Sequence, residues 1–157
     1  MYFAKAAGRG HRVMDIMELT SMPQTVIHMS NAERLAQIDA LLATIPSFKC
    51  KPGCADCCGP IHYSRLEFYR CVKASGHSLQ EIREQIKKNV SRNDHRCPFL
   101  NRKTNQCSVY EVRPAICRVF GTTGELRCPH GYAPQAGQML SEERSREILA
   151  QVKELGA

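Results

Sequence analysis

Residues 50–58 read Cys50-Lys-Pro-Gly-Cys54-Ala-Asp-Cys57-Cys58 and are followed by Gly59-Pro60. Four thiols therefore lie within nine residues, and the Pro and Gly residues around them favour a sharply turning loop. Thiolates that share a metal ion must each approach it to within about 2.3 Å, and such a loop can bring them together. The sequence predicts a metal-binding loop here.

Other interpretations of this loop fit less well. A single buried Cys behaves as a small hydrophobic residue, but four so close together in a polar loop are not typical of a core. A thioredoxin-like pair of Cys54 and Cys57 requires a βαβ pattern, which the sequence lacks. The spacing also matches the radical-SAM cluster motif, but the chain has neither the strand–helix alternation nor the length of that partial barrel.

Five further cysteines follow the loop. Cys71 falls inside a predicted helix, and we interpret it as a core residue. The others lie in turns or short segments that can fold back over the loop. The candidate metal ligands are therefore Cys50, Cys54, Cys57, Cys58, Cys97, Cys107, Cys117 and Cys128. Eight thiols suffice for two four-cysteine sites, or for one site with spare thiols.

The spacing favours iron–sulfur ligation and leaves zinc open. A zinc ribbon has two Cys-x₂-Cys knuckles about 15–20 residues apart, and only one knuckle occurs here. Three close cysteines with a distant one before Pro are typical of iron–sulfur ligation, and both Cys97 and Cys128 precede Pro. The adjacent Cys57 and Cys58 also indicate more than one metal ion, because the side chains of two neighbouring residues rarely both reach the same small centre.

Arginines and histidines near the cysteines are further candidates. Three arginines could offset a cluster's charge or simply be surface residues, with the first of them paired to Glu111: Arg113, Arg118 and Arg127. Three histidines could ligate zinc or be solvated: His62, His95 and His130. His130 is the best placed of these, since it follows Cys128 by two residues.

Four apolar stripes at helical spacing predict four helices. Three begin with a capping box, a Ser followed three residues later by a Glu, at Ser30, Ser64 and Ser78. The fourth begins at Ser141 without a box and ends at Gly156. Residues 97–110 predict a short hairpin with a polar tip at 101–106, and Pro114 predicts a short helix over 115–120.

We therefore predict a mostly α protein, a small single domain of about four to five helices around a cysteine-rich metal-binding centre, with one short β-hairpin. Residues 30–157 form this cysteine-cluster domain. Residues 1–29 are Met-rich and interrupted by Gly and Pro, and we interpret them as an N-terminal extension. Its sequence allows one short helix near 12–19, and it would be a docking arm, a disordered tail, or sequence upstream of an internal start at Met29.

Length and composition exclude several classes of protein. The 157 residues suit one domain and are too few for a (β/α)₈ barrel, which takes about 250. No apolar run approaches the ~18 residues that cross a bilayer, so no membrane contact is expected. The chain shows no signal peptide, so we expect a cytoplasmic protein whose thiols bind metal rather than form disulfides. The odd number of cysteines, nine, agrees with this.

The formal net charge of +7 overstates the basic character of the chain. Each four-thiolate site with a divalent metal carries about −2, which lowers the net charge to about +5 or about +3. Residues 83–103 hold seven Lys or Arg and two acids, a pattern that contacts phosphates or forms a solvated helix face. No aromatic residues interleave closely with these charges to stack bases, so nucleic acid is a secondary expectation and any protein partner stays unidentified.

Three motifs in order carry a family resemblance: the loop at 50–58, then Cys97-Pro-Phe-Leu, then Cys107-Ser-Val-Tyr-Glu-Val-Arg-Pro-Ala-Ile-Cys117-Arg-Val-Phe. Over about residues 47–135 the chain resembles the YkgJ-type cysteine-cluster family of bacterial zinc- or iron-chelating domains. The resemblance implies a mostly helical metal-chelating domain. Members of the family are variously labelled iron–sulfur or zinc proteins, and a related cysteine pattern in a flagellin lysine methylase is linked to a [4Fe–4S] cluster.

The functional expectation follows from the cysteines, since no catalytic triad, P-loop or His-Glu-x-x-His motif occurs. We expect an iron–sulfur cluster, [4Fe–4S], held by cysteine thiolates for electron transfer or redox sensing. The alternative is a Zn²⁺-stabilised interaction or nucleic-acid-binding module. A third hypothesis is an enzyme whose metal keeps a ligand position open to substrate, so catalysis is left undecided.

Overall fold

A computed structural model of the protein describes residues 29–157. In chain order the elements are α1 (Asn31–Ala43), α2 (Arg65–Ser75), α3 (Leu79–Ser91), β1 (Leu100–Asn101), β2 (Gln106–Cys107), a 3₁₀ turn (Tyr110–Val112), α4 (Ala115–Val119) and α5 (Glu142–Leu155). Over this range the protein is mostly α with one small antiparallel hairpin, which confirms the predicted fold class. The predictions for residues 1–28 lie outside the described residues. No helix within 29–157 has the length and apolar character to cross a membrane.

Local sequence signals account for the positions at which the helices begin. The three predicted capping boxes are present, and each joins a Ser to the Glu three residues later: Ser30 with Glu33, Ser64 with Glu67 and Ser78 with Glu81. Ser141 caps α5 alone, by accepting a hydrogen bond from the backbone N–H of Arg144. Pro114 precedes α4 as predicted, although this helix ends at Val119, one residue earlier than expected.

Within residues 29–157 the helices enclose two separate hydrophobic cores. The first core lies between α1, α4 and α5 and consists of Ile38, Leu42, Ile45, Ala115, Val119, Ile148 and Val152. The second core lies between α2, α3 and the hairpin and consists of Cys71, Val72, Ile82, Phe99 and Val109. Cys71 is fully buried there, and its thiol donates to the Val112 carbonyl oxygen at 3.5 Å, so its prediction as a core residue is confirmed.

A buried carboxylate links the two halves of the fold. Glu67 in α2 is only 3% exposed, and its Oε1 accepts a hydrogen bond from the backbone N–H of Ala115 at 2.7 Å. Its Oε2 accepts from the Ser64 hydroxyl at 2.8 Å, as part of the α2 capping box. One side chain therefore caps α2 and fixes the start of α4, the short helix that carries Cys117.

Replacing Glu67 by Ala is expected to lower the free energy of unfolding by about 2–3 kcal/mol, because it leaves the buried N–H of Ala115 without an acceptor. Urea unfolding of the metal-loaded protein measures this. Glu81→Ala is the matched control, since Glu81 occupies the same capping position on α3 but is exposed. Equal losses of unfolding free energy in the two variants would show that the hydrogen bond from Ala115 to Glu67 does not stabilise the protein.

Candidate metal centre

Two tight turns shape the loop between α1 and α2. The N–H of Cys54 donates to the Lys51 carbonyl oxygen at 3.3 Å, and Gly53 within this turn has φ +67°. The N–H of Cys58 then donates to the Ala55 carbonyl oxygen at 2.9 Å. The Pro-Gly pair thus permits the reversal that the sequence indicated, because positive φ is readily adopted by Gly.

Five cysteines line one cavity of about 70 Å³, called here the first cavity: Cys57, Cys58, Cys97, Cys107 and Cys117. The rest of its wall is largely apolar and includes Ile61, Val109, Ile116 and Phe120. Val109 belongs to the second core, while Ile116 lies in α4 beside the first core. The thiols therefore meet where the two halves of the fold come together.

Four cysteines line a second cavity, also of about 70 Å³: Cys50, Cys57, Cys117 and Cys128. Its other walls include Phe48 and Phe120. Cys57 and Cys117 line both cavities, so the two spaces share a wall. All nine cysteines are free thiols.

Backbone contacts hold the remote cysteines against the loop. The N–H of Cys97 donates to the Cys58 carbonyl oxygen at 2.9 Å, which attaches the start of the hairpin segment to the loop. Cys107 lies in β2 opposite Leu100. Cys128 opens a turn that is closed by a hydrogen bond from the N–H of Gly131 at 3.0 Å. Segments separated by up to 78 positions in sequence thus present thiols to adjoining spaces.

Cys54 is placed differently from the other seven predicted ligands. It lines neither the first nor the second cavity. Its sulfur instead lies close to Asp56 and His130, with the possible ligand atoms of all three residues within 4.8 Å of one another. The other two candidate histidines, His62 and His95, also line neither cavity, and His95 bonds to Asn93.

Burial opposes ionisation of the thiols when no cation lies among them. It raises the pKa of Cys117 and, more weakly, that of Cys107. A hydrogen bond from the Cys58 thiol lowers the pKa of Cys57, and the same bond raises the pKa of Cys58. A metal cation bound here would compensate the thiolate charges, since ligation replaces the thiol protons. The donor set therefore fits a thiophilic metal centre.

Two of the candidate arginines border the cysteines. Arg113 lines both cavities, stacks on Tyr110 with its guanidinium carbon 3.9 Å from the ring centroid, and donates to the Tyr110 carbonyl oxygen. It makes these contacts rather than an ion pair with Glu111, and the described residues contain no such pair. Arg118 lines the second cavity, whereas Arg127 lines neither and donates to the Gly124 carbonyl oxygen.

The family comparison extends over this whole arrangement. The family model "CxxCxxCC: Putative zinc- or iron-chelating domain" matches residues 49–146, which include all eight candidate cysteines. The chain belongs to this family. Membership in the CxxCxxCC family confirms the resemblance drawn from the three motifs and supports metal binding. No curated protein and no solved structure shows significant similarity to this CxxCxxCC chain.

Three residues near the CxxCxxCC cysteines were not predicted. Asp56 lies inside the loop motif itself. Because a carboxylate is one of the groups that bind zinc, its position among the cysteines could have identified it as a candidate ligand. Glu67 was interpreted only as a cap, and nothing local in sequence indicates its bond to α4. The Tyr63 hydroxyl lies 3.2 Å from the Cys97 sulfur, and no sequence pattern indicates that contact.

Proposed function

We propose that this CxxCxxCC protein holds an iron–sulfur cluster through its cysteine thiolates and uses it for electron transfer or redox sensing. The supporting observation is the first cavity, where five thiols surround one small space. A single tetrahedral ion takes four ligands, and two of the five thiols also border a second space. This surplus of sulfur favours a centre with several metal atoms.

The size and walls of the first cavity agree with this proposal. A water molecule occupies about 10–15 Å³ by the same kind of measure, so about 70 Å³ admits a group considerably larger than one ion. The wall outside the cysteines is mostly apolar, which limits access of water to the centre. When bound, an iron–sulfur cluster supplies one-electron redox chemistry whose potential depends on nearby charge and solvent exposure.

The neighbouring side chains have defined tasks in this proposal. Arg113 contributes positive charge at both cavities, which opposes the negative charge of several thiolates and favours the reduced state. Its stacking on Tyr110 holds the guanidinium in place. Tyr63, close to the Cys97 sulfur, is a potential hydrogen-bond donor to a thiolate. We place this function in the cytoplasm, where free thiols such as these nine persist.

Anaerobic purification followed by iron, sulfide and zinc analysis tests the proposal. We expect a brown protein with iron and acid-labile sulfide, whose broad visible absorbance decreases when dithionite is added. A colourless protein with stoichiometric zinc and no sulfide would contradict it. The chain should be expressed with an adequate iron supply, so that zinc does not enter the site merely because iron is scarce.

A zinc-stabilised interaction module is the second candidate, and the second cavity favours it. Four cysteines line that space, the number a structural zinc ion takes. A nucleic-acid partner has less support, because Asp94 pairs with two cations of the basic stretch, Arg96 and Arg102. The metal analysis distinguishes the two candidates, and steep salt dependence of RNA or DNA binding would support the nucleic-acid version.

A further inference from the structure

We propose that Cys54, Asp56 and His130 form a separate binding site for one divalent metal ion with the ligand preferences of Zn²⁺. This site is distinct from the two cysteine-lined cavities and does not depend on which metal they hold. The eight candidate cysteines fall into two groups. Seven line the cavities, and only Cys54 stands apart, beside a carboxylate and an imidazole.

Three turns bring the ligands together. Cys54 ends the turn at 51–54, Asp56 lies in the turn at 55–58, and His130 lies in the turn at 128–131. His130 Nε2 and Asp56 Oδ2 are 2.6 Å apart, although the residues are 74 positions apart in sequence. The contact therefore joins the cysteine loop to the turn that carries Cys128.

The geometry suits a tetrahedral ion. With bond lengths of about 2.0–2.3 Å, ligand atoms on such an ion lie about 3.3–3.8 Å from one another. The three ligand atoms here lie within 4.8 Å of one another, and His130 Nε2 and Asp56 Oδ2 lie closer together than they would on such an ion, so binding requires these side chains to rotate. Sulfur, nitrogen and carboxylate oxygen are the three donor types that zinc takes in proteins.

Charge and accessibility give this site a different character from the cavities. The His130 side chain is 29% exposed and that of Asp56 is 60% exposed, so an ion bound there would be in contact with solvent. As an exposed side-chain contact alone, the pair of His130 and Asp56 would contribute at most about 1 kcal/mol of stability. Three protein ligands leave a fourth position for water or a substrate group, as in catalytic rather than structural zinc sites.

Cobalt titration of the full-length protein tests the proposal, with iron content measured on the same samples. Co²⁺ replaces Zn²⁺ and reports tetrahedral thiolate ligation by its visible absorption. We expect His130→Ala and Asp56→Asn each to bind one equivalent less than the wild type, or to bind it at least tenfold more weakly, since even loss of an outer-sphere partner costs about 10–100-fold. Zn²⁺ should displace Co²⁺ from the wild type.

His77→Ala is the matched control, because His77 is exposed and lies between α2 and α3, away from the three ligands. It should bind Co²⁺ like the wild type. Cys54→Ser should lose the same equivalent as His130→Ala while its iron content is unchanged. Two results would overturn the proposal: equal Co²⁺ binding by wild type, His130→Ala and Asp56→Asn, or loss of iron in Cys54→Ser. Absence of iron from the wild type and from every variant would instead refute the proposed cluster. The comparison of Co²⁺ binding between the wild type and the variants would still test this site.

Discussion

Replacement of Cys117 by serine is expected to remove nearly all of the metal bound in the two cavities, as is replacement of Cys57. These two thiols line both cavities, so either substitution takes a ligand from each space. Serine is close to cysteine in size but its hydroxyl stays protonated, so it does not replace a thiolate on a soft metal. Metal analysis and visible absorbance of anaerobically purified variants measure the loss.

Cys71→Ala is the control for this experiment. Cys71 is fully buried and lines neither cavity, so its removal should affect packing but leave the metal content at the wild-type level. Circular dichroism of each variant establishes that the helices are present. Retention of the wild-type metal content by Cys57→Ser and Cys117→Ser would refute the assignment of these two cysteines as metal ligands.

Removal of the metal should have the second large effect, a collapse of tertiary stability. Structural zinc contributes an apparent 10–16 kcal/mol or so in small metal-dependent domains, while whole domains have net stabilities of about 5–15 kcal/mol. Here the cysteines lie between two separate cores. Without metal, the halves are joined by hydrogen bonds such as the one that the N–H of Ala115 donates to the Glu67 carboxylate and the one that the N–H of Leu66 donates to the Gly156 carbonyl oxygen.

Thermal unfolding before and after anaerobic chelation measures this effect. We expect the midpoint to fall by tens of degrees or the cooperative transition to disappear, and reconstitution of the reduced protein with iron and sulfide to restore it. Cys117→Ser should already resemble the chelated wild type and change little on chelation. An unchanged midpoint in protein shown to be free of metal would mean that the two cores are sufficient for the fold.

The helices and the hairpin were predictable because their signals are local. A Ser followed by a Glu three residues later marks a helix start whatever the rest of the fold does, and all three such boxes are present. The polar tip at 101–106 likewise fixed the position of the hairpin, whose strands pair Leu100 with Cys107. Where tertiary packing decides an end, as at Val119 in α4, the prediction was off by one residue.

The sequence indicated which cysteines are candidate ligands, but it could not indicate how they are arranged. Spacing alone cannot show that Cys57 and Cys117 border two spaces or that Cys54 lies apart, because this depends on how the loop meets the hairpin and α4. The close approach of Gly121 to Phe48 was likewise not predictable from the sequence. A Cβ at Gly121, where φ is +85°, would lie 2.4 Å from the Phe48 ring, and nothing in the surrounding sequence indicates that contact.

The wide spread of the cysteines along the chain has a consequence for biosynthesis. A ribosome delivers Cys57 and Cys58 long before Cys117 and Cys128, and the shared wall between the cavities exists only when both groups have emerged. During that interval the early thiols are accessible to oxidants and to competing metals. Complete loading of the proposed centre therefore requires that Cys117 and Cys128 have emerged from the ribosome, and until then the early thiols stay exposed to these competing reactions.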